Sequence, residues 1–165
     1  MNRDLRRASR AVAFGLVLLA GLACSGGDDT PAFSFLQGTN RWRADTPRLI
    51  VERVDARGPG DVELSLRIEA TRPSRGERLT LWALVDVLDG SHPVEAFGHL
   101  AGVGAVAPRA VSSGCDQSDV GRLVIEAHDA DRRLVSGSFL VNVCAVDDPD
   151  AVMTLGDGRF TALAY

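Results

Sequence analysis

Histidine is scarce in this chain, and its three histidines, His92, His99 and His128, are side chains that could bind a metal or transfer a proton. The segment "HPVEAFGH" brings His92, Glu95 and His99 close together in sequence, which suggests a metal site. On a strand, however, positions 92 and 99 have opposite parity, so their side chains point to opposite faces. We therefore expect ordinary surface histidines here and no metal site.

His128 is the other candidate for proton transfer, and it lies beside Asp129 in the segment "HDADR". Short polar residues of this kind favour a hairpin turn. A serine hydrolase would need a nucleophile close by, and "VSSGC" offers Ser112 and Ser113. The nucleophile motif G-x-S-x-G is missing, and nothing in the sequence places either serine near His128. We therefore expect a protein that is not an enzyme, with no catalytic residue.

Two charged clusters remain as candidate ligand sites. The first consists of four aspartates near the C-terminus: Asp147, Asp148, Asp150 and Asp157. They are the calcium candidate, but the EF-hand spacing is absent and a solvated acidic turn explains the same residues, so we expect no metal and no cofactor. The second is the loop "TRPSRGER" (71–78), whose three arginines could meet lipid headgroups or a carboxylated sugar. A soluble loop tip is the simpler interpretation.

Two of the three cysteines, Cys115 and Cys144, are expected to pair. A redox-active pair usually has close spacing such as C-x-x-C, which is absent. If the hairpin around "HDADR" turns near residue 130 or 131, the numbers of paired positions add up to about 261, and 115 and 144 add up to 259. Strand parity favours an even total, so "GCDQSDV" has to bend or bulge. In an exported protein this predicts a structural disulfide, which stabilises the fold by about 3.5 kcal/mol through loop closure.

Hydrophobic alternation with a period of two predicts strands almost everywhere. The apolar residues of "DVELSLRIEA" (61–70) share one face, which is typical of a half-buried strand. The turn "ARGPG" (56–60) joins it to "RLIVERV" (48–54) as a hairpin. The segment "RLTLWALVDV" (78–87) is apolar on both faces and predicts a central strand, with a buried helix as the alternative.

The second half of the chain has the same pattern. "VEAFGHLAG" and "VGAVAPRAV" predict two strands rich in Gly and Ala, and "GRLVIEA" (121–127) and "RLVSGSFLVNVCAV" (133–146) predict a hairpin. "AVMTL" and "RFTALAY" predict a last hairpin that turns at Gly156 and Gly158. Eight to ten strands without a convincing amphipathic helix predict an all-β fold, a single antiparallel β-sandwich or barrel-like domain.

The first twenty-three residues have the organisation of a signal peptide. Four arginines precede an unbroken apolar stretch of 13 residues (11–23). A bilayer-spanning helix needs about 20 apolar residues, so a signal peptide fits better than the alternative, an uncleaved membrane helix. We expect a signal peptide at 1–23, a lipidated cysteine and flexible tether at 24–32 and an all-β domain at 33–165.

Cys24 follows small residues at the end of this stretch, and "LLAGLAC" resembles the lipobox of bacterial lipoproteins. The resemblance implies that Cys24 is lipidated and begins the mature chain; plain secretory cleavage just before Cys24 is the alternative. The acidic "SGGDDTPA" that follows suits a tether. Acyl chains would hold the protein on a membrane essentially permanently, because each buried CH₂ contributes about 0.8 kcal/mol. By the same resemblance, Ser25 implies the outer membrane.

The charge of the mature chain limits its partners. Without residues 1–23 the chain holds 14 basic and 21 acidic residues, a net charge of −7. Such a surface repels phosphate backbones, so nucleic acid is not an expected partner. The expected partners are the membrane, through the lipid anchor, and an envelope protein.

The two ends of the domain carry a family resemblance. "GTNRWRA" (38–44) and the closing "VSGSFLVNV…DGRFTALAY" resemble the ends of a family of small bacterial lipoproteins of unknown function. The residues that match the recurring aromatics of the family are Trp42, Phe139, Phe160 and Tyr165. The resemblance implies a lipid-anchored single β-sandwich-like domain in which these aromatics pack in the core and at strand edges. It implies no activity and no catalytic residue.

Three functions fit these observations. The favoured one is a non-enzymatic, lipid-anchored envelope lipoprotein with a binding or structural role, whose interaction surface is an exposed strand edge or loop patch. The first alternative is a lipocalin-like carrier that holds a small apolar ligand in an unfilled barrel lumen. The second is a hydrolase or metal-dependent enzyme, which would need the histidines to converge with a carboxylate or a serine.

Overall fold

A computed structural model describes residues 30–55, 62–101, 109–111, 115, 121–145 and 148–165. These residues form one antiparallel sheet of ten strands with a short 3₁₀ turn and no α-helix, so the predicted all-β class is confirmed. No helix in the described ranges is long and apolar enough to cross a bilayer. The predicted signal peptide, Cys24, Ser112, Ser113 and Asp147 lie outside the described residues.

The strands follow one another as hairpins and longer connections around a curled sheet. Their bounds are β1 Ala32–Gln37, β2 Asn40–Arg43, β3 Thr46–Asp55, β4 Val62–Arg72, β5 Glu77–Val85, β6 Gly90–His99, β7 Arg109–Val111, β8 Gly121–Asp129, β9 Leu134–Ala145 and β10 Asp148–Ala164. Neighbours follow the order β2-β1-β10-β9-β7-β6-β5-β4-β3, and β8 pairs with both β6 and β9. The sheet curls into a half-barrel, which is the barrel-like form of the prediction.

The two edges of the sheet belong to one continuous stretch of chain. β2 pairs with β1 at one edge, and β3, which follows two residues later, pairs with β4 at the other. Between them Ala44 donates its N–H to the Phe33 carbonyl at 2.9 Å, and Asp45 donates to the Thr71 carbonyl at 2.8 Å. The edges therefore meet at residues 44–45, which brings β1 close to the end of β4.

Apolar side chains fill the inner side of the curled sheet. At its centre lies an aromatic cluster of four residues, each at most 4% exposed: Phe33, Phe35, Trp42 and Phe139. Phe33 stacks on Phe139 with ring centroids 5.1 Å apart, and Phe35 stacks on Trp42 at 4.9 Å. Buried aliphatic residues of β4, β5, β8 and β9 complete the core, whose removal from water is the main stabilising term of the fold.

Two predicted hairpins and the predicted central strand are confirmed. β3 pairs with β4, and β8 pairs with β9, with Leu123 opposite Phe139. β5 lies between β4 and β6, which excludes the buried-helix alternative for this segment. Its outer face remains uncovered, and Leu84 is 41% exposed, because the half-barrel buries only the inner face of the sheet.

The predicted last hairpin is wrong. Residues 148–164 form one long strand, β10, which pairs with β9 and, towards its end, with β1. The pairing with β9 is irregular between Leu155 and Gly158, but the chain does not turn back. Gly158 is needed for packing, because a Cβ there would lie 2.6 Å from Cε1 and Cζ of Phe139. A glycine that permits close approach looks the same in sequence as a turn glycine, which explains the error.

The predicted disulfide joins Cys115 to Cys144, whose Cα atoms are 5.7 Å apart. Cys144 lies near the end of β9, opposite Val111 of β7. Cys115 lies outside the strands, which agrees with the odd sum of the residue numbers 115 and 144. In the β8–β9 hairpin Arg122 lies opposite Leu140, and the numbers of these paired residues add up to an even total, as strand parity favours. The bond therefore ties the segment before β8 to the end of β9.

Candidate binding cleft

A cleft of about 960 Å³ opens at one end of the half-barrel. Its walls come from the β1–β2 hairpin, the turn between β4 and β5, Ala101 after β6, and residues 152–154 of β10. Most of the lining side chains are polar or charged, and the charged ones are Arg41, Arg72, Arg75 and Glu77. This size lies within the range of pockets that bind small ligands or short peptide segments.

The cleft lies where β4 ends, beside the outer edge of β2. After Arg72 the chain enters the 3₁₀ turn Pro73–Arg75. Pro73 has no N–H to donate to a neighbouring strand, and Gly76 adopts the left-handed conformation, with φ of 65°, that turns the chain into β5. In the described part of the chain, no strand pairs with the outer edge of β2, and the resulting gap is the cleft.

The outer edge of β2 presents backbone hydrogen-bonding groups to this gap. In an antiparallel pair, alternate residues turn their N–H and C=O towards the partner strand. The N–H of Ala44 donates to Phe33 of β1. The residues two and four positions earlier, Trp42 and Asn40, therefore also direct their backbone N–H and C=O groups towards β1. The peptide groups of Arg41 and Arg43 therefore point away from β1.

Glu77 forms the floor of the cleft and is only 6% exposed. Its Oε2 accepts a hydrogen bond from Trp42 Nε1 at 3.0 Å and lies 3.2 Å from Arg72 Nη1. Its Oε1 accepts a hydrogen bond from the N–H of Ala101 at 3.1 Å. A buried carboxylate requires such donors, since an unpaired charge in the interior is costly. Glu77 thus joins β2, the end of β4 and the end of β6 at one point.

Arg72 has a second contact in the floor, because its guanidinium lies over the ring of Trp42, 5.4 Å from the ring centroid. The arginine side chain is 21% exposed, so it is held between the carboxylate of Glu77 and the indole face. Arg72, Trp42 and Glu77 therefore form a preorganised polar floor above the aromatic cluster.

The rim of the cleft carries two further arginines with different surroundings. Arg41 bonds to Asp157, and this contact lowers the pKa of the Asp157 carboxyl; the charge of Arg159, whose Nε lies 3.6 Å from Oδ1, lowers it further. Arg75 lies exposed on the 3₁₀ turn and has no ion pair within the described ranges. Arg75 is therefore the rim cation that can pair with an incoming carboxylate.

The charge of the lining is opposite in sign to that of the whole protein. Of the residues that the structure describes, three arginines and one glutamate line the cleft, whereas the full chain has a net charge of −4. A concave site with such a surplus concentrates anions from solution.

The structure does not bring the predicted metal candidates together. His92 is on the inner face and His99 has the opposite parity, as expected. His92 is not a surface residue, however: it is 9% exposed, and its Nε2 lies 2.7 Å from the carbonyl of Asp89. The bend of the chain before β6 covers it, which periodicity alone does not reveal. Among the described residues, no group of three or more His, Cys, Asp or Glu could hold a metal ion.

The calcium candidate is not a cluster in its described part. Asp148, Asp150 and Asp157 lie along the single strand β10, where seven residues extend over roughly 20 Å. Asp157 is also engaged by Arg41. Asp157 is therefore separated from Asp148 and Asp150, which lie at the start of β10.

His128 has a tyrosine partner. Its Nε2 lies 2.7 Å from the hydroxyl of Tyr165, and Arg133 lies over the Tyr165 ring, 5.0 Å from the centroid. Of the other aromatics named above, Trp42, Phe139 and Phe160 are buried in the core. This polar group lies at the end of β8, outside the cleft.

Sequence reasoning missed the centre of the cleft. The sequence places the arginines of residues 71–78 in one loop, but in the structure they have three different environments: Arg72 binds Glu77, Arg75 lies on the rim, and Arg78 is exposed on β5. The available signal was Glu77 itself, which has the inward parity of Leu79 and Leu81. A charged residue on the buried face of a strand needs a partner, and its position predicts a polar contact inside the fold.

Comparisons of the chain with protein-family models, curated protein sequences and solved structures found no match.

Proposed function

We propose that this protein is a non-enzymatic, lipid-anchored lipoprotein of the cell envelope, held at the outer membrane, that binds a partner molecule in the cleft. The observation that carries the proposal is the contrast between the filled interior of the half-barrel and the open, positively charged cleft at its end. A packed scaffold that carries a preformed concave site is a common organisation of a binding module.

The filled interior supports this function over an apolar carrier. A lipocalin-like carrier needs an empty lumen lined by apolar side chains. In the described residues, the aromatic cluster and the aliphatic residues around it occupy that space, and the members of the cluster are at most 4% exposed. The cleft outside this core is lined mainly by polar groups, which suit a charged or polar ligand.

The bonding within the cleft supports a binding role over a catalytic one. Among the described residues that line the cleft, Glu77 is the one carboxylate, and three donors already hold it: Trp42, Arg72 and the N–H of Ala101. No histidine, cysteine or serine of the described chain lines the cleft. The side chains there are arranged to fix one another and to attract an anion, whereas proton transfer or nucleophilic attack would require a base or nucleophile within reach of the ligand.

The anchored part of the proposal is supported by the sequence. The lipobox-like segment that ends at Cys24 is the reason to expect lipidation, and the tether would lead to Ala32 at the start of β1.

Photocrosslinking in cells tests the binding role. A photoreactive phenylalanine analogue replaces Asn40, which is exposed in the cleft, and in a control chain it replaces Arg122, which is exposed on the outer face of β8. We expect an adduct of defined mass from the Asn40 position and none of that mass from the Arg122 position. Equal adducts from both positions, or none from the cleft, would contradict the proposal.

Mass spectrometry of the mature N-terminus tests the anchor separately. We expect a peptide that begins with Cys24 and carries a diacylglyceryl group, and a Cys24→Ser variant that leaves the membrane fraction. An unmodified Cys24 thiol on a soluble product would contradict this part of the proposal.

A further inference from the structure

We infer that the ligand of the cleft is an extended, acidic polypeptide segment that adds a strand to the outer edge of β2. The inference rests on the proposed function, because it names the class of ligand for the same site. Three features of that site carry it: the free backbone edge, the end of the neighbouring strand, and the charge around the gap.

The backbone edge has the hydrogen-bonding pattern of a strand without its neighbour. Asp45 has the same phase as Arg41 and Arg43, and its N–H is taken by the carbonyl of Thr71 in β4. Beyond that point β4 turns away, and the peptide groups of Arg41 and Arg43 are left with no strand beside them in the described part of the chain. Two N–H and two C=O groups at strand spacing match the alternating groups of an extended peptide, which is the basis of β-strand addition.

Within the described residues, the space beside this edge has defined walls. The far wall is the 3₁₀ turn and the floor is Glu77, which its three donors hold in place. Because Pro73 and Gly76 fix the course of that wall, the gap does not close by extension of β4. A volume of about 960 Å³ accommodates a short peptide segment along the four residues of β2.

The positive charge around the edge of β2 favours acidic peptides over neutral and basic ones. Arg41 and Arg43 lie on the same face of β2, and Arg75 lies on the opposite wall. Arginine binds carboxylates with paired hydrogen bonds, so acidic side chains on an added strand would find partners on both sides. Arg41 already holds Asp157 and Arg72 already holds Glu77, which leaves Arg43 on the edge and Arg75 on the opposite wall as the first contacts for ligand carboxylates.

Arginines on a short edge strand also discourage association with other strands, which is a common protection of sheet edges. That protection acts against cationic strands and against a second copy of the same arginine-rich edge. It does not act against an acidic strand, which the same charges attract. Arg41 and Arg43 therefore have two effects: they discourage β2 from pairing with other copies of this protein, and they favour an acidic partner strand.

Peptide binding to the full-length, detergent-extracted protein tests the inference. The probe is a fluorescein-labelled peptide of alternating valine and glutamate, compared by fluorescence anisotropy with two matched peptides, one with glutamine for glutamate and one N-methylated at alternate residues. We expect each change to weaken binding about tenfold, because one removes the charge-assisted contacts and the other removes the strand hydrogen bonds. Unchanged binding of the N-methylated peptide would overturn strand addition, and unchanged binding of the glutamine peptide would overturn acidic selectivity.

Variants of the protein locate the binding. Arg75→Gln is expected to weaken binding of the acidic peptide about five- to tenfold, whereas Arg122→Gln, an exposed arginine of β8 outside the cleft, is expected to leave it unchanged. Equal effects of the two variants would show a general charge effect and overturn the inference.

A tetramer of galacturonic acid, which carries carboxylates but no peptide groups, separates this inference from the proposed function. Binding of the sugar with no binding of the peptide would overturn strand addition and leave a ligand-binding cleft in place. No binding of either probe would also overturn the inference, while the adduct from the Asn40 position in cells would still report whether the cleft has a partner.

Discussion

The aromatic cluster and the cleft share one residue, Trp42, and are built by different forces on its two sides. The ring of Trp42 packs on Phe35 within the cluster, whereas its indole N–H donates to Glu77 in the floor of the cleft. Contacts in the cluster are apolar and depend on close packing, while those in the cleft are directional bonds among groups from separate strands. The comparison shows that packing in the aromatic cluster stabilises the fold, whereas the directional bonds in the cleft fix the positions of its charged side chains.

The largest effect is expected when the cluster loses a ring. Phe33→Ala removes a side chain that is 2% exposed and stacked on Phe139, so the free energy of unfolding should fall by about 3–5 kcal/mol. The matched control is Leu140→Ala, next to Phe139 in sequence but 55% exposed on the outer face, which should change stability by at most about 0.5 kcal/mol. Denaturant unfolding measures both. Similar losses in the two variants would contradict the placement of Phe33 in the core and of Leu140 on the outer face of β9.

A smaller effect is expected when the floor of the cleft loses its charge. Glu77→Gln keeps an oxygen for Trp42 and removes the ion pair with Arg72, so the free energy of unfolding should fall by about 1–3 kcal/mol. The loss is smaller than that of Phe33 because no large cavity forms.

A double-mutant cycle sharpens this distinction between bonding and packing. Arg72→Met and Glu77→Met are each expected to destabilise the fold, and the double variant should lose less than the sum of the two, because neither charge is then left without its partner. Glu69→Gln, whose ion pair with Arg67 is between partly exposed groups, serves as the control and should cost less than about 0.5 kcal/mol. Strict additivity would mean that Arg72 and Glu77 are not coupled.

The difference between the two regions also explains what the sequence could predict. The cluster and its surroundings follow from local periodicity, since the alternation of residues 62–70 and 121–127 places the strands and their buried faces. The pairing of β8 with β9 followed from a turn signal, and the disulfide from the arithmetic of that hairpin. Each of these inferences uses residues close in sequence or a single turn.

The cleft could not be predicted in this way, because its parts meet only through the curl of the sheet. Trp42 and Glu77 are 35 positions apart, and Ala101 is another 24 positions further. Their meeting depends on β4 ending at Pro73 and on the two edges of the sheet joining at residues 44–45. β10 shows the same limit: Gly158 has a packing role against Phe139, a residue nineteen positions away, which composition cannot distinguish from a turn.

The smallest effect is expected at the rim, where Arg41 holds Asp157. This contact lowers the pKa of the Asp157 carboxyl, so the folded state favours the ionised form. The resulting stabilisation is present above the ordinary pKa range of an aspartate and is lost as the pH falls through the lowered value. Because the pair is exposed, we expect a measurable shift in the pKa and only a slight change in stability.

Titration of the Asp157 carboxyl by NMR tests this, and the arginine variants rank the causes. Arg41→Gln should raise the pKa of Asp157 towards its ordinary value, because it removes both the closest hydrogen bond and the nearest charge. Arg159→Gln should raise it less, since Arg159 is 63% exposed and its Nε lies 3.6 Å away. A larger rise with Arg159→Gln would place the main partner of Asp157 on β10 itself, and would leave Arg41 available to a ligand at neutral pH. The order of the two shifts therefore decides whether Arg75 is the only unengaged arginine among the three that line the cleft.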